Sequence, residues 1–79
     1  MDWMSTKQLP PPVGTPLIVT VERDTTFGPR RAVVAPVYYM RSVATGEYSY
    51  FERGDENAQI GPEYFHVVAW TRYPLPYEG

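Results

Sequence analysis

His66 is the only imidazole in a chain of 79 residues that has no cysteine. Any general base or metal ligand set would have to be built around that one ring. Zinc sites draw on several sulfur or imidazole donors, so the composition argues against a metal centre. Thiol nucleophiles and disulfides are excluded outright. The serines Ser5, Ser42 and Ser49 carry no flanking glycines of the nucleophile-elbow kind. Paired-carboxylate chemistry would need two of Glu47, Glu52, Asp55, Glu56 and Glu63 at a fixed separation in a cleft. Those acids flank an aromatic stretch or lie in a polar one, where carboxylates are ordinarily solvated. No glycine-rich phosphate loop with its lysine is present. The expectation is a chain that is not an enzyme and takes no cofactor and no metal.

The chemistry in surplus is that of recognition. Seven Tyr, two Trp and three Phe are present, and each such ring can bury about 150–250 Å². Tyr38, Tyr39, Tyr48, Tyr50 and Phe51 crowd one stretch, with Arg30 and Arg31 before it, Arg41 inside it and Arg53 at its end. Neighbours in a strand point to opposite faces, so Tyr38 and Tyr39 must diverge, as must Tyr50 and Phe51. Arginine beside exposed tyrosine can hold a protein through hot-spot contacts. The same pairing can hold single-stranded nucleic acid by stacking, or the charges can simply keep a solvated sheet edge from aggregating. The reading makes Tyr38, Tyr39, Arg41, Tyr48, Tyr50, Arg30, Arg31 and Arg53 the interaction set. His66, in a strand, shares a face with Tyr64, Val68 and Trp70 and is structural or a partner contact. Arg53-Gly54-Asp55 spells the integrin tripeptide and is taken as a turn.

These residues need strands to carry them. Leu17, Val19 and Val21 alternate with Ile18, Thr20 and Glu22, a period-two, β-branched run. Residues 30–41 are apolar on both faces and contain Pro36, which cannot donate to a ladder and so implies an edge or a bulge. Ala44-Thr45-Gly46 supplies turn chemistry, and residues 46–53 return, making 30–53 a hairpin. Residues 54–63 are a polar loop, with room for one helical turn capped by Asp55. Residues 64–71 form the last strand. The prolines at 10, 11, 12 and 16 mark a stiff connector over 10–16, and Pro74 and Pro76 mark a tail over 73–79. The expected architecture is mainly all-β: one domain over 1–79, a four-stranded curled antiparallel sheet or small open barrel.

Size and charge set further bounds. A domain this small buries only about 60% of the surface its unfolded chain exposes, so aromatic mass or self-association has to help. The formal net charge of −2 offers duplex nucleic acid no global attraction. The first residues lack the charged-then-apolar pattern of a secretory signal, and no apolar run approaches the ~20 residues of a membrane span. A cytoplasmic protein with no membrane partner is expected.

The two ends carry a resemblance. Trp3, Leu9-Pro10, the strand Leu17-Ile18-Val19, and finally Val67-Val68-Ala69-Trp70 with Pro74-Leu75-Pro76 occur in that order. The set resembles a family of small phage and prophage proteins of unknown function, which begin W-I-x…L-P and end V-T-H-W-M-P-L-P. Here Arg72 and Tyr73 lengthen the gap after Trp70, and Ala69 replaces the family's histidine, so no histidine role carries over. The resemblance implies a small β fold and a phage or prophage origin, with no activity attached. It also implies that the ends meet, so Trp3, Leu9, Pro10, Trp70, Pro74, Leu75 and Pro76 are structural, the tail lying as a lid over Trp3 or Trp70. The alternative makes residues 73–77 a ligand for a partner's aromatic groove.

Size, the missing catalytic residues, the tyrosines and that resemblance together predict a phage- or prophage-encoded accessory protein that binds a host or phage protein. An inhibitor of a host defence or regulatory complex is one form of it. The alternatives are a single-stranded nucleic-acid-binding β-barrel and a self-assembling structural subunit.

Overall fold

The computed structural model describes residues 2–61 and 65–74. Five strands follow one another: β1 (Met4–Ser5), β2 (Pro16–Thr25), β3 (Gly28–Arg41), β4 (Tyr48–Glu52) and β5 (His66–Arg72). They form one antiparallel sheet in the order β1-β5-β2-β3-β4. The all-β expectation holds, with five strands in place of four. β1 and β4 are separate edges, so the sheet is not closed into a barrel. The added strand is β1, which pairs Met4 with Trp70 and Ser5 with Ala69.

The hairpin of β2 and β3 zips further than the apolar pattern of β2 indicates. Beyond Glu22 the ladder continues through Arg23↔Arg30 and Asp24↔Pro29 to Thr25↔Gly28. The Thr25 hydroxyl donates to the Gly28 carbonyl (2.6 Å) and accepts from the Phe27 amide (3.2 Å), closing a two-residue turn. The second hairpin turns on Ser42, whose buried hydroxyl oxygen accepts the Ala44 and Thr45 amides (3.2 and 3.3 Å). Its ladder sets Tyr39 opposite Tyr50 and Tyr38 opposite Phe51.

Two bulges shape the sheet. β3 passes from Val34, opposite Val19, to Val37, opposite Leu17, so Ala35 and Pro36 together face Ile18. Pro36 therefore marks a bulge, as its missing donor requires. The second lies on β5, where Thr20 faces Ala69 but Val21 faces Val67, leaving Val68 extra. An extra residue reverses strand parity. His66 consequently pairs with Glu22, on the face opposite Trp70, which corrects the expectation that the two share a face.

One face carries the core. Leu17, Val19, Val21, Val37 and Trp70 are buried there, with Met4, Val34, Tyr39, Tyr50, Ile60 and Val67 packed against them. The chain between β4 and β5 supplies Ile60 to this cluster. Before that it adds a bridge to β4: the Glu52 amide donates to the Ala58 carbonyl and the Ile60 amide to the Tyr50 carbonyl (both 2.9 Å). Residues 54–61 form no helical turn. The Asp55 carboxylate instead caps a turn by accepting the Asn57 amide (2.9 Å). Among the described residues no helix is long and apolar enough to cross a membrane.

The ends do meet. The Thr6 amide donates to the Val68 carbonyl (3.1 Å), and the Trp70 indole N–H donates to the Leu9 carbonyl (3.0 Å). Trp70 is thus closed by the N-terminal segment. Trp3 remains 40% exposed, and Leu9, Pro10 and Pro74 are exposed. Leu75 and Pro76, and with them most of the lid or ligand segment, lie outside the described residues.

Candidate functional site

The eight residues of the interaction set fall into three places. The tyrosines form a stack on the core face, since a ladder pair shares a face and alternation returns Tyr48 and Tyr50 to the side of Tyr39. The Tyr39 ring centroid lies 5.5 Å from that of Tyr48 and 4.9 Å from that of Tyr50. Tyr39 and Tyr50 pack against the buried cluster, and only Tyr48, 52% exposed, offers its ring to solvent. Tyr38 occupies the other face, where its ring borders Gly54. That turn needs its glycine: Arg53 and Gly54 both have positive φ (58° and 68°). A Cβ at Gly54 would meet the Tyr38 ring at 3.3 Å.

Burial, and secondarily the neighbouring Tyr39, pushes the Tyr50 phenol from 10.0 up to about 12. The folded state therefore resists ionising a group that the unfolded chain ionises near 10. The stability linked to Tyr50 is complete below pH 10 and is lost as the pH rises toward 12. In a titration followed by tyrosinate absorbance, one ring is expected to ionise late, together with unfolding. Tyr50→Phe should remove that late step; a titration that keeps it would assign the late ring elsewhere.

The arginines divide as well. Arg41 turns back on its own hairpin, donating Nε–H to the Gly46 carbonyl (2.9 Å). Arg53 is the turn residue whose amide donates to the Pro36 carbonyl (2.9 Å). Arg31 pairs with Glu22 (2.8 Å), across from it in the ladder. Arg30 faces Arg23, a like-charge pair that costs rather than contributes. Arg30 and Arg41 stand near opposite ends of β3, about 36 Å apart along the strand at roughly 3.3 Å per residue. They do not form one basic platform with the tyrosines.

A different feature lies between them. β3 has fourteen residues and β4 only five, and β4 covers β3 only from Val37 to Arg41. Among the described residues nothing pairs with the outer side of residues 29–35. The two-residue turn fixes which groups that side presents. The pair flanking such a turn is hydrogen-bonded, and bonding then alternates along the ladder. Gly28, Arg30, Ala32 and Val34 turn their backbone groups to β2. Arg31 and Val33 direct theirs outward, with the Pro29 carbonyl and, following Val34, the Ala35 amide. Val33 is 63% exposed, and Ala32 and Ala35 are exposed. Pro29, which has no N–H, bounds the stretch at one end, and Arg53 on Pro36 bounds it at the other.

The sequence reading passed over three residues around this edge. Val33 belongs to a run read as ordinary strand, Arg23 lies just past the run that ends at Glu22, and Phe65 comes beneath Arg23, whose guanidinium lies 6.0 Å from the ring centroid. No family model, no curated protein and no solved structure matches the chain.

Proposed function

We propose that this chain is a non-enzymatic binding protein that takes up an extended segment of a partner protein along the outer edge of β3. The observation that carries the reading is the uncovered stretch 29–35, where Arg31, Val33 and Ala35 present backbone donors and acceptors beside an exposed, β-branched side chain. An edge of that kind recruits a strand unless it is blunted, and strand addition is a common mode of peptide capture. In the phage or prophage setting that the chain ends resemble, the partner is a host or phage protein. Occupying a segment of a defence or regulatory complex requires shape and backbone groups and no catalysis.

A second copy is a poorer occupant. Pairing antiparallel through the same edge, its Thr26-Phe27 turn would have to stop short of Arg53, which fills the position beside Pro36. The registers that do so centre on Arg30 or Arg31 and set like charges opposite each other. Single-stranded nucleic acid is also less supported, because Tyr39 and Tyr50 are engaged with each other and the core.

Val33→Pro tests the reading. Proline is tolerated at an edge where the N–H faces solvent, so this variant should fold and melt close to wild type. Val34→Pro, which removes a ladder bond to β2, should melt well below both wild type and Val33→Pro. The tagged wild type should capture one stoichiometric protein from nuclease-treated bacterial lysate, and Val33→Pro should lose it. Equal capture by folded Val33→Pro would overturn edge pairing. Capture that collapses on nuclease treatment would transfer the role to nucleic acid.

A further inference from the structure

Building on the edge-pairing reading, we propose that the captured segment has a carboxylate at one end and apolar residues at the other, the carboxylate lying beside Arg30. Two adjoining hollows on the core face give the edge this polarity. One, of about 260 Å³, is lined by Val21, Ala32, Val34, Glu52, Ile60 and Phe65. The other, also about 260 Å³, has Arg23, Arg30, Val21, Ala32 and Phe65 in its wall. Along β3 the core-face residues beside an incoming strand are therefore Arg30, then Ala32, then Val34.

Charge decides what each end takes. Arg23 and Arg30 stand directly across the ladder, and among the described residues neither makes an ion pair, the one bridge there being Arg31 to Glu22. Two exposed guanidinium groups on one face repel each other, and a carboxylate between them reverses the sign of that interaction. Glu52 at the far hollow repels an acid there and leaves Ala32 and Val34 to apolar side chains. On the opposite face Arg31 is already partnered, and Val33 and Ala35 continue the apolar end. Strand alternation then spaces the acid two residues from the nearest apolar side chain on the core face. In an antiparallel segment the apolar residues come first and the acid last; in a parallel one the order reverses.

The probes are two capped heptapeptides, Thr-Val-Thr-Val-Thr-Glu-Ser and its reversed order, each also made with Lys in place of Glu. Binding is read at low ionic strength by fluorescence anisotropy and by amide shifts of Arg31, Val33 and Ala35. One chain direction of the Glu peptide should bind at least ten-fold tighter than its Lys counterpart. Arg30→Glu, at an exposed position facing Arg23, should fold and abolish or invert that preference. N-methylation of alternate peptide residues in one parity should abolish binding without any change to the protein. Equal binding of Glu and Lys peptides with shifts at the three edge amides would overturn the acidic partner and leave edge pairing standing. No shift at those amides with any of the peptides would overturn both.

Discussion

Trp70→Ala is expected to unfold the domain. Trp70 is buried at the centre of the core-face cluster, opposite Val19 on β2 and Met4 on β1. Truncating a buried large aromatic costs about 3–5 kcal/mol. A chain of this length has on the order of 4–12 kcal/mol of stability in total. The loss is compounded because the Leu9 carbonyl gives up its indole partner, which loosens the segment holding β1 in place. Far-UV circular dichroism at 37 °C should show a largely unfolded chain. Trp70→Phe retains most of the apolar area and loses chiefly the hydrogen bond, about 1 kcal/mol, so it should melt lower but fold. Trp3→Ala, at a half-exposed position, should have a small effect. A Trp70→Ala protein that melts within a few degrees of wild type would show that the two ends of the chain contribute little to the core.

That N-terminal closure shows where sequence patterning stops being informative. β1 is two residues, Met4–Ser5, in a polar run. No period can be read from two residues, and the strand exists because β5 offers an edge for it to pair with. The hairpin of β3 and β4, by contrast, is written in local chemistry: alternation on both arms, a glycine turn between them and a proline where the ladder must slip. Pro36 was legible as an edge or bulge because a missing N–H is a property of the residue itself. The bulge at Val68 was not. It reflects how β5 meets β2, and a one-residue shift moved His66 to the other face from Trp70.

The candidate site follows the same division. Sequence brought forward the arginines and tyrosines because their types suit recognition, yet the fold places them in three separate contacts. Arg41 and Arg53 serve turns, and Tyr39 and Tyr50 complete the core. The uncovered edge arises from a mismatch of strand lengths. The long apolar arm beginning at Arg30 was visible, as was its shorter return. Which neighbour would cover the excess depends on where the chain goes after β4. It crosses the core face at Ile60 toward β5, leaving residues 29–35 without a strand beside them.

Phe51→Ala should be nearly as damaging as Trp70→Ala, and from the other face of the sheet. Phe51 is fully buried although it stands outside the core-face cluster. Its ladder partner is Tyr38, whose ring borders Gly54, and its backbone is bridged by Gln59. Removing the ring costs about 3–5 kcal/mol and takes away the packing that holds β4 between β3 and the 58–60 segment. Ile60 reaches the core only through that segment, so damage on one face should propagate to the other. Hydrogen exchange is expected to quicken first at the amides of Glu52 and Ile60, whose acceptors lie across this bridge. Phe51→Leu, which keeps most of the volume, should cost less than half as much. An alanine variant in which those two amides stay as protected as in wild type would show that the ladder to β3 and the Tyr39–Tyr50 contact hold β4 without Phe51, and that the two faces are energetically independent.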